Sequence, residues 1–253
     1  MSENNIAILS EKNTQLIYDA SLLVPADANF LEQSILDQAE HAEPVASGGR
    51  GKAWFVELAD QYTVLRAYQR GGLMAKINQQ TYAGWSAEQS RSFREWRLLH
   101  QLFNQGLPVP QPVAASCRRW PLCLSPFYRA RILLRRIPDV QTLDQMLQQQ
   151  ALSEADWRKV GACIAAFHRQ GVYHDDLNAS NILLNQQMQV YLIDFDKGEL
   201  REVSDQSLWP QKNLQRLQRS LLKQQSLHST YHFSNTCWQA LLDAYQSNTV
   251  QAG

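Results

Sequence analysis

Three side chains carry the chemistry that is legible in this sequence. Asp176 and Asn181 lie in His174-Asp175-Asp176-Leu177-Asn178-Ala179-Ser180-Asn181, and Asp194 lies in Ile193-Asp194-Phe195-Asp196. Two carboxylates and a carboxamide suit phosphoryl transfer, which asks little covalent chemistry of a protein. That reaction needs an acceptor hydroxyl aimed by a carboxylate, and Mg2+ held against phosphates by hard oxygen ligands. Asp176 is expected to do the first, and Asn181 and Asp194 the second. Asp and Asn also populate turns because their side chains bond nearby backbone. Asn185 is expected to do only that.

The elements that must position these groups follow from periodicity and punctuation. Residues 53–58 and 62–68 read as the strands of a hairpin, with Ser47-Gly48-Gly49-Arg50-Gly51 as a turn before them and Gly71-Gly72 ending the second. A strand over 15–24 and a short helix over 29–39 are expected upstream. Phe93, Trp96, Leu99 and Phe103 recur at helical spacing and predict a helix over 87–105, stopped by Gly106. The prolines of Leu107-Pro108-Val109-Pro110-Gln111-Pro112 make an extended connector. A strand over 131–135 breaks at Ile137-Pro138-Asp139. Ser153, with Asp156 three residues on, begins a helix that buries Trp157, Val160, Ile164 and Phe167 and stops at Gly171. Strands over 182–184 and 190–193 form a hairpin flanked by the chemical side chains. Beyond Asp205 the chain reads as helical. Leu214, Leu217, Leu221 and Leu222 give one apolar face, and Trp238, Leu241, Leu242 and Tyr245 another. This order predicts an α+β, bilobal architecture, with a β-rich N-terminal lobe over 1–136, a helical lobe over 137–253 and a cleft between them.

Charge and composition exclude several classes. Lys+Arg and Asp+Glu both number 24, so the formal net charge is zero and the chain as a whole is no electrostatic binder of nucleic acid. No apolar run approaches the ~20 residues that span a bilayer. The opening MSENNIAILSEK lacks the basic flank and apolar core of a secretory signal, so a cytosolic location, where ATP is available, is expected. Cys117, Cys123, Cys163 and Cys237 form no CxxC pair and have no histidines at zinc spacing, and are expected to be buried free thiols. No protein partner is evident.

The order and spacing of these segments resemble the protein-kinase-like superfamily over residues 48 to 196. Asp176 stands at the catalytic-loop aspartate, Asn181 follows five positions later, and Asp194 follows eighteen positions after Asp176 across a hairpin. The resemblance implies the bilobal kinase-like fold, with Asp176 catalytic and Asn181 and Asp194 on Mg2+. Gly48, Gly49, Arg50 and Gly51 would fold backbone N–H groups over the phosphates of ATP. Val64-Leu65-Arg66-Ala67-Tyr68 aligns with the family's V-A-I-K, so Arg66 replaces the usual lysine, with Lys76 as the alternative phosphate ligand. Glu95 is the expected ion-pair partner of Arg66. His174 is expected to brace the loop. Asp175 replaces the arginine that pairs with an activation-loop phosphate, which argues against that form of control. Asp196 replaces the glycine of D-F-G and is expected to pair with Lys197.

Finer features narrow the acceptor. No Ala-Pro-Glu follows Asp194, and only a short polar stretch precedes Trp209-Pro210, which fits a small-molecule or glycolipid acceptor better than a protein. Gly48-Gly49-Arg50-Gly51, the run from Val64 to Leu73, Arg94-Glu95-Trp96, Gly106-Leu107-Pro108-Val109-Pro110, Tyr173-His174-Asp175-Asp176-Leu177-Asn178 and Asp194-Phe195-Asp196-Lys197-Gly198 resemble 3-deoxy-D-manno-octulosonic acid (Kdo) kinases. The resemblance implies ATP-dependent phosphorylation of the 4-hydroxyl of Kdo on a lipid A precursor, in lipopolysaccharide core assembly. The enzyme would sit peripherally on the cytoplasmic face of a bacterial inner membrane. Arginines suit an acceptor bearing a carboxylate and phosphates. Arg118, Arg119, Arg129, Arg131, Arg135 and Arg136 cluster in sequence, with Arg50 and Arg70 near the hairpin. Leu73, Met74, Tyr82 and Trp85 form a stretch suited to a bilayer interface. A lipopolysaccharide heptose kinase, an aminoglycoside/choline-type phosphotransferase, a small atypical protein kinase and a pseudokinase share parts of this pattern.

Overall fold

The structure is a computed structural model and describes residues 5–32, 35–36, 39–45, 53–58, 61–68, 86–119, 128–204 and 206–249. The chain divides into two compact units. The first is Met1–Gln101 with Gln111–Arg136, and the second is Leu102–Pro110 with Ile137–Gly253.

In the first unit the strands are β1 (Ile6–Glu11), β2 (Thr14–Asp19), β3 (His41–Pro44), β4 (Ala53–Leu58) and β5 (Gln61–Tyr68). Helix α1 (Arg91–Asn104) follows, its residues from Leu102 on counted with the second unit, and then β6 (Pro112–Arg119) and β7 (Tyr128–Arg135). They form a seven-stranded sheet in the order β1-β2-β6-β7-β5-β4-β3, with every pairing antiparallel. One face buries Leu16, Val56, Leu65, Val113 and Leu133 beneath Phe30, Leu31 and Ile35. The β4–β5 hairpin has the expected bounds except that β5 begins one residue early, at Gln61, with Ala53 opposite Arg66 and Leu58 opposite Gln61. The strand expected over 15–24 ends at Asp19, whose Oδ1 accepts from the Ser21 backbone N–H at 2.9 Å and bends the chain into a turn. Residues 28–32 form turns rather than the start of the helix expected over 29–39. The connector expected through Pro112 gives way at that residue to β6, which tolerates a proline as its first member.

The helix expected over 87–105 begins as a 3-10 turn, Ala87–Gln89, and continues as α1. Phe93, Trp96 and Leu99 are buried as expected. Leu102, not Phe103, completes that face, and Phe103 is 38% exposed. Gly106 at φ 78° ends the helix. Its N–H donates to Phe103 O and that of Leu107 to Leu102 O, both at 3.0 Å, the paired bonds of a Schellman stop.

The second unit holds β8 (Val140–Thr142), α2 (Leu143–Gln149), α3 (Glu154–Arg169), β9 (Val172–Tyr173), β10 (Ile182–Asn185), β11 (Val190–Leu192), β12 (Glu199–Leu200), α4 (Trp209–Leu227) and α5 (Asn235–Thr249). Ser153 caps α3 by accepting from the Asp156 N–H, and Trp157, Val160, Ile164 and Phe167 are buried. Gly171, at φ 74°, follows the helix. Asn185 does what turns ask of it, its Oδ1 accepting from the backbone of Gln187 and Gln189. On α4, Leu214, Leu217 and Leu221 are buried while Leu222 is 46% exposed, because that face is narrower than the leucine run. Together the β-sheet of the first unit and the helices of the second make the α+β, kinase-like fold.

Helices α3 and α5 touch so closely that a Cβ on Gly161 would lie 2.1 Å from the backbone oxygen of Leu241. Gly161→Ala gains about 1 kcal/mol of helix propensity but must push two backbones apart, which costs about 1–3 kcal/mol. Thermal unfolding should show a lower Tm for this variant. A raised Tm would mean that the two helices separate freely.

Candidate active site

Short β9 delivers the chain to His174, Asp175 and Asp176. Asn178 then caps a 3-10 turn, Ala179–Asn181, its Oδ1 accepting from the N–H groups of Ser180 and Asn181. The antiparallel pair β10–β11 follows, and the Ile193 N–H extends its ladder by donating to Asn181 O at 3.1 Å. Asn181 and Asp194 therefore flank the same end of one hairpin. Asn181 Nδ2 donates to Asp176 O at 2.9 Å, and Asn178 Nδ2 donates to the same carbonyl at 3.1 Å.

His174 joins these parts. It is buried, and its Nε2 lies 2.9 Å from Ile193 O while its Nδ1 lies 3.2 Å from the Asp176 N–H. Only the neutral tautomer protonated on Nε2 satisfies both, because Nδ1 must accept and Nε2 must donate. Burial pushes its pKa below the ordinary histidine range, which keeps the ring in that form. One imidazole thus fixes the residue that carries Asp176 and the residue before Asp194.

Asp194 sits at φ 67°, a left-handed conformation that costs a non-glycine residue of order 1–3 kcal/mol. Phe195 opposes that cost from the core, with its ring 4.7 Å from that of His174 and 5.8 Å from that of Phe167. Lys197, expected to pair with Asp196, lies 3.6 Å from Asp175 Oδ2.

Helix α4 clasps the loop through three residues that share a face. Asn213 donates to His174 O at 3.0 Å and accepts from its N–H at 3.2 Å, and Ser220 Oγ accepts from the Ala179 N–H at 3.1 Å. Between them, Arg216 donates Nε and one terminal nitrogen to Asp176 Oδ1 at 2.9 and 2.7 Å. The Asp176 side chain is still 51% exposed, so a substrate can reach it. Sequence reading missed all three. Their signal was the i, i+3, i+7 spacing of Asn213, Arg216 and Ser220 on a helix whose other face is apolar.

A buried chain continues behind Asn213. The Nε2 of His168 lies 3.3 Å from Asn213 Oδ1, and its Nδ1 lies 2.9 Å from the Tyr245 hydroxyl. The amide oxygen can only accept, so His168 also carries its proton on Nε2, and Tyr245 donates to Nδ1.

In the first unit, Arg66 and Glu95 form the expected ion pair. Arg66 and Tyr68 alternate on β5 and therefore point to one face. Both donate to Glu95 Oε2, and Arg66 donates to the Tyr68 hydroxyl at 3.1 Å. Burial and the Glu95 charge push the Tyr68 phenol well above its usual pKa, so it stays a donor. The Glu95 side chain is fully buried, and a carboxylate there is tolerated only with such partners. Tyr68 was not foreseen. Gly48, Gly49, Arg50, Gly51, Arg70, Lys76 and the stretch holding Leu73, Met74, Tyr82 and Trp85 lie outside the described residues.

The arginine cluster of the sheet divides. Arg131 donates to Leu31 O and lies 3.7 Å from Glu32, Arg135 donates to Gln111 Oε1 at 3.1 Å, and Arg136 stacks 4.0 Å over Phe55. These three therefore have structural partners. Arg118 and Arg129 face one another across β6–β7. Cys117 and Cys163 are free thiols pushed up by burial to about 11 and about 12, which makes them poor nucleophiles. Cys123 lies outside the described residues.

A carboxylate and an amide oxygen presented by one hairpin fit Mg2+, which takes one or two protein oxygens and completes its shell with phosphates and water. The Nδ2 of Asn181 is committed to Asp176 O, so its oxygen is the end available to a cation.

The lipopolysaccharide kinase (Kdo/WaaP) family profile matches residues 37–245. The chain belongs to that family. It is 45% identical over 184 residues, 73% of this chain and 71% of the relative, to a 3-deoxy-D-manno-octulosonic acid kinase of Xylella fastidiosa (strain M12). It is 43% identical over 209 residues to the enzyme of that name in Xanthomonas axonopodis pv. citri (strain 306), covering 82% and 80% of the two chains. A third relative of that name, from Xylella fastidiosa (strain M23), is 43% identical over 202 residues and 78% of each chain. The protein is therefore a phosphotransferase of the lipopolysaccharide kinase family. Among the described residues, no helix is long and apolar enough to cross a membrane.

The buried histidines set an acid limit on this family member's stability. Burial lowers His168 from about 6.5 to about 4, so the unfolded chain takes up a proton more readily than the folded one. The neutral ring's contribution is complete above about pH 6.5 and is lost as pH falls toward 4. Urea unfolding should show about 2–3 kcal/mol less stability from this group at pH 4.5 than at pH 7. His168→Gln should reduce that loss. Equal losses in parent and variant would refute the role given to His168.

Proposed function

We propose that this kinase transfers the γ-phosphoryl group of ATP to the 4-hydroxyl of Kdo on a lipid A precursor, at the cytoplasmic face of a bacterial inner membrane to which it binds peripherally. The observation that carries the reading is Asp176. It is a half-exposed carboxylate whose backbone is fixed by His174, Asn178 and Asn181, on a chain similar to kinases named for Kdo. Residues 1–136 serve as the nucleotide-binding lobe and 137–253 as the catalytic lobe.

In this reading Arg66, braced by Glu95 and Tyr68, orients the α- and β-phosphates with a planar fork. The backbone of Gly48, Gly49, Arg50 and Gly51 covers them. Asp194 and Asn181 hold Mg2+, which neutralises charge on the phosphates when bound. Both Arg216 bonds fall on Asp176 Oδ1. Oδ2 is left to take the hydrogen bond of the acceptor hydroxyl, aim its oxygen at the γ-phosphorus and receive its proton as the P–O bond forms. ADP leaves with the electrons of the broken bond.

Transfer of labelled γ-phosphate from ATP should reach a Kdo-bearing lipid A precursor, and product mapping should place it on the 4-hydroxyl. A preference for heptosylated core or for an aminoglycoside would replace the reading. Asp176→Ala should lower kcat by about 10²–10⁴ while ATP binding persists. Undiminished turnover in that variant would remove the role given to Asp176.

A further inference from the structure

Helix α4 departs from the charge balance of the protein. The whole chain carries as many acids as bases, but the nineteen residues of α4 hold Lys212, Arg216, Arg219 and Lys223 and no aspartate or glutamate. Their spacing of four, three and four residues gathers them within about 60° of the helix circumference, in a stripe roughly 16 Å long. All four are exposed. Arg216 is the member that touches Asp176. Among the described residues Lys212, Arg219 and Lys223 have no ion-pair partner, whereas on α3 Lys159 lies 3.0 Å from Asp156 and Arg158 lies 3.9 Å from Asp243. Like charges three and four residues apart destabilise a helix, so the stripe is held against its own repulsion.

The stripe runs past the carboxylate that would aim the acceptor. An acceptor hydroxyl at Asp176 brings the rest of its molecule alongside α4. A surface of cations without carboxylates complements phosphate and repels other cations. We propose that Lys212, Arg219 and Lys223 form a docking surface for the phosphate groups of the glycolipid acceptor, holding its sugar hydroxyl at Asp176. This rests on the glycolipid reading of the site and names the part of the substrate that α4 reads.

The test compares kcat/KM for the Kdo-bearing acceptor with its phosphates and after phosphatase treatment, both in neutral detergent micelles. Enzyme with Lys212→Gln, Arg219→Gln and Lys223→Gln together is measured beside the parent. The parent should prefer the phosphorylated acceptor, and the triple variant should lose at least about tenfold of that preference, since each exposed charge pair contributes modestly. Salt near 0.5 M should erode the parent's preference in the same direction. An unchanged ratio in the triple variant overturns the proposal. So does a variant that keeps the ratio but no longer sediments with phosphatidylglycerol vesicles, which would make the stripe a contact for the bilayer. A parent with no turnover on either acceptor fails the glycolipid reading itself. Docking is then judged by co-sedimentation with phosphorylated against dephosphorylated acceptor micelles, and equal binding overturns it.

Discussion

The chemistry of the second unit depends on one neutral imidazole. His174 accepts from the Asp176 N–H and donates to Ile193 O, and so ties the loop of the candidate base to the chain that leads into Asp194. Each such bond is worth only about 0.5–1.5 kcal/mol net, but a buried partner left unsatisfied costs about 1–3 kcal/mol. The loop is therefore held less by the strength of these bonds than by the penalty for leaving any of them. A charged ring could not serve, because imidazolium has two donors and no acceptor. The requirement for neutrality explains why the ring is buried and why Phe195 packs against it.

The same logic governs the first unit with the opposite charge state. The fully buried Glu95 carboxylate is held by Arg66 and Tyr68, which both donate to it. A buried ion pair adds little stability over an apolar substitute, yet removing one partner costs several kcal/mol. What such a pair supplies is a guanidinium held in one orientation. The two units thus use buried polar groups for position rather than for stability, as phosphoryl transfer requires of a protein that does little covalent work.

How much of this was readable follows from what each residue does locally. The loop from His174 to Asn181 and the Asp194 segment were legible because their chemistry depends on spacing along the chain. The 154–169 helix and its stop were legible because an apolar period, a serine cap and a glycine in the left-handed region are local signals. Strand β6 was not, since Pro112 to Cys117 are buried throughout and show no alternation. Helix α2 was passed over although Thr142 and Gln145 form a capping box. Phe103 and Leu222 were assigned to buried faces from which burial then excluded them. Arg216, Asn213 and Tyr68 were missed for one reason: each is polar, and its partner lies far along the sequence or across a helix. Arg66 was found because Val64-Leu65-Arg66-Ala67-Tyr68 resembles the V-A-I-K strand of the kinase-like superfamily.

The state of His174 is the most direct test of this account. Nitrogen-15 NMR of the imidazole, assigned by comparison with His174→Gln, reports which ring nitrogen carries a proton. The ring should carry a pyrrole-type Nε2 and a pyridine-type Nδ1 at neutral pH, and should take up a proton only below the ordinary histidine range. A ring protonated on Nδ1, or one that becomes imidazolium at the ordinary histidine pKa, would contradict it.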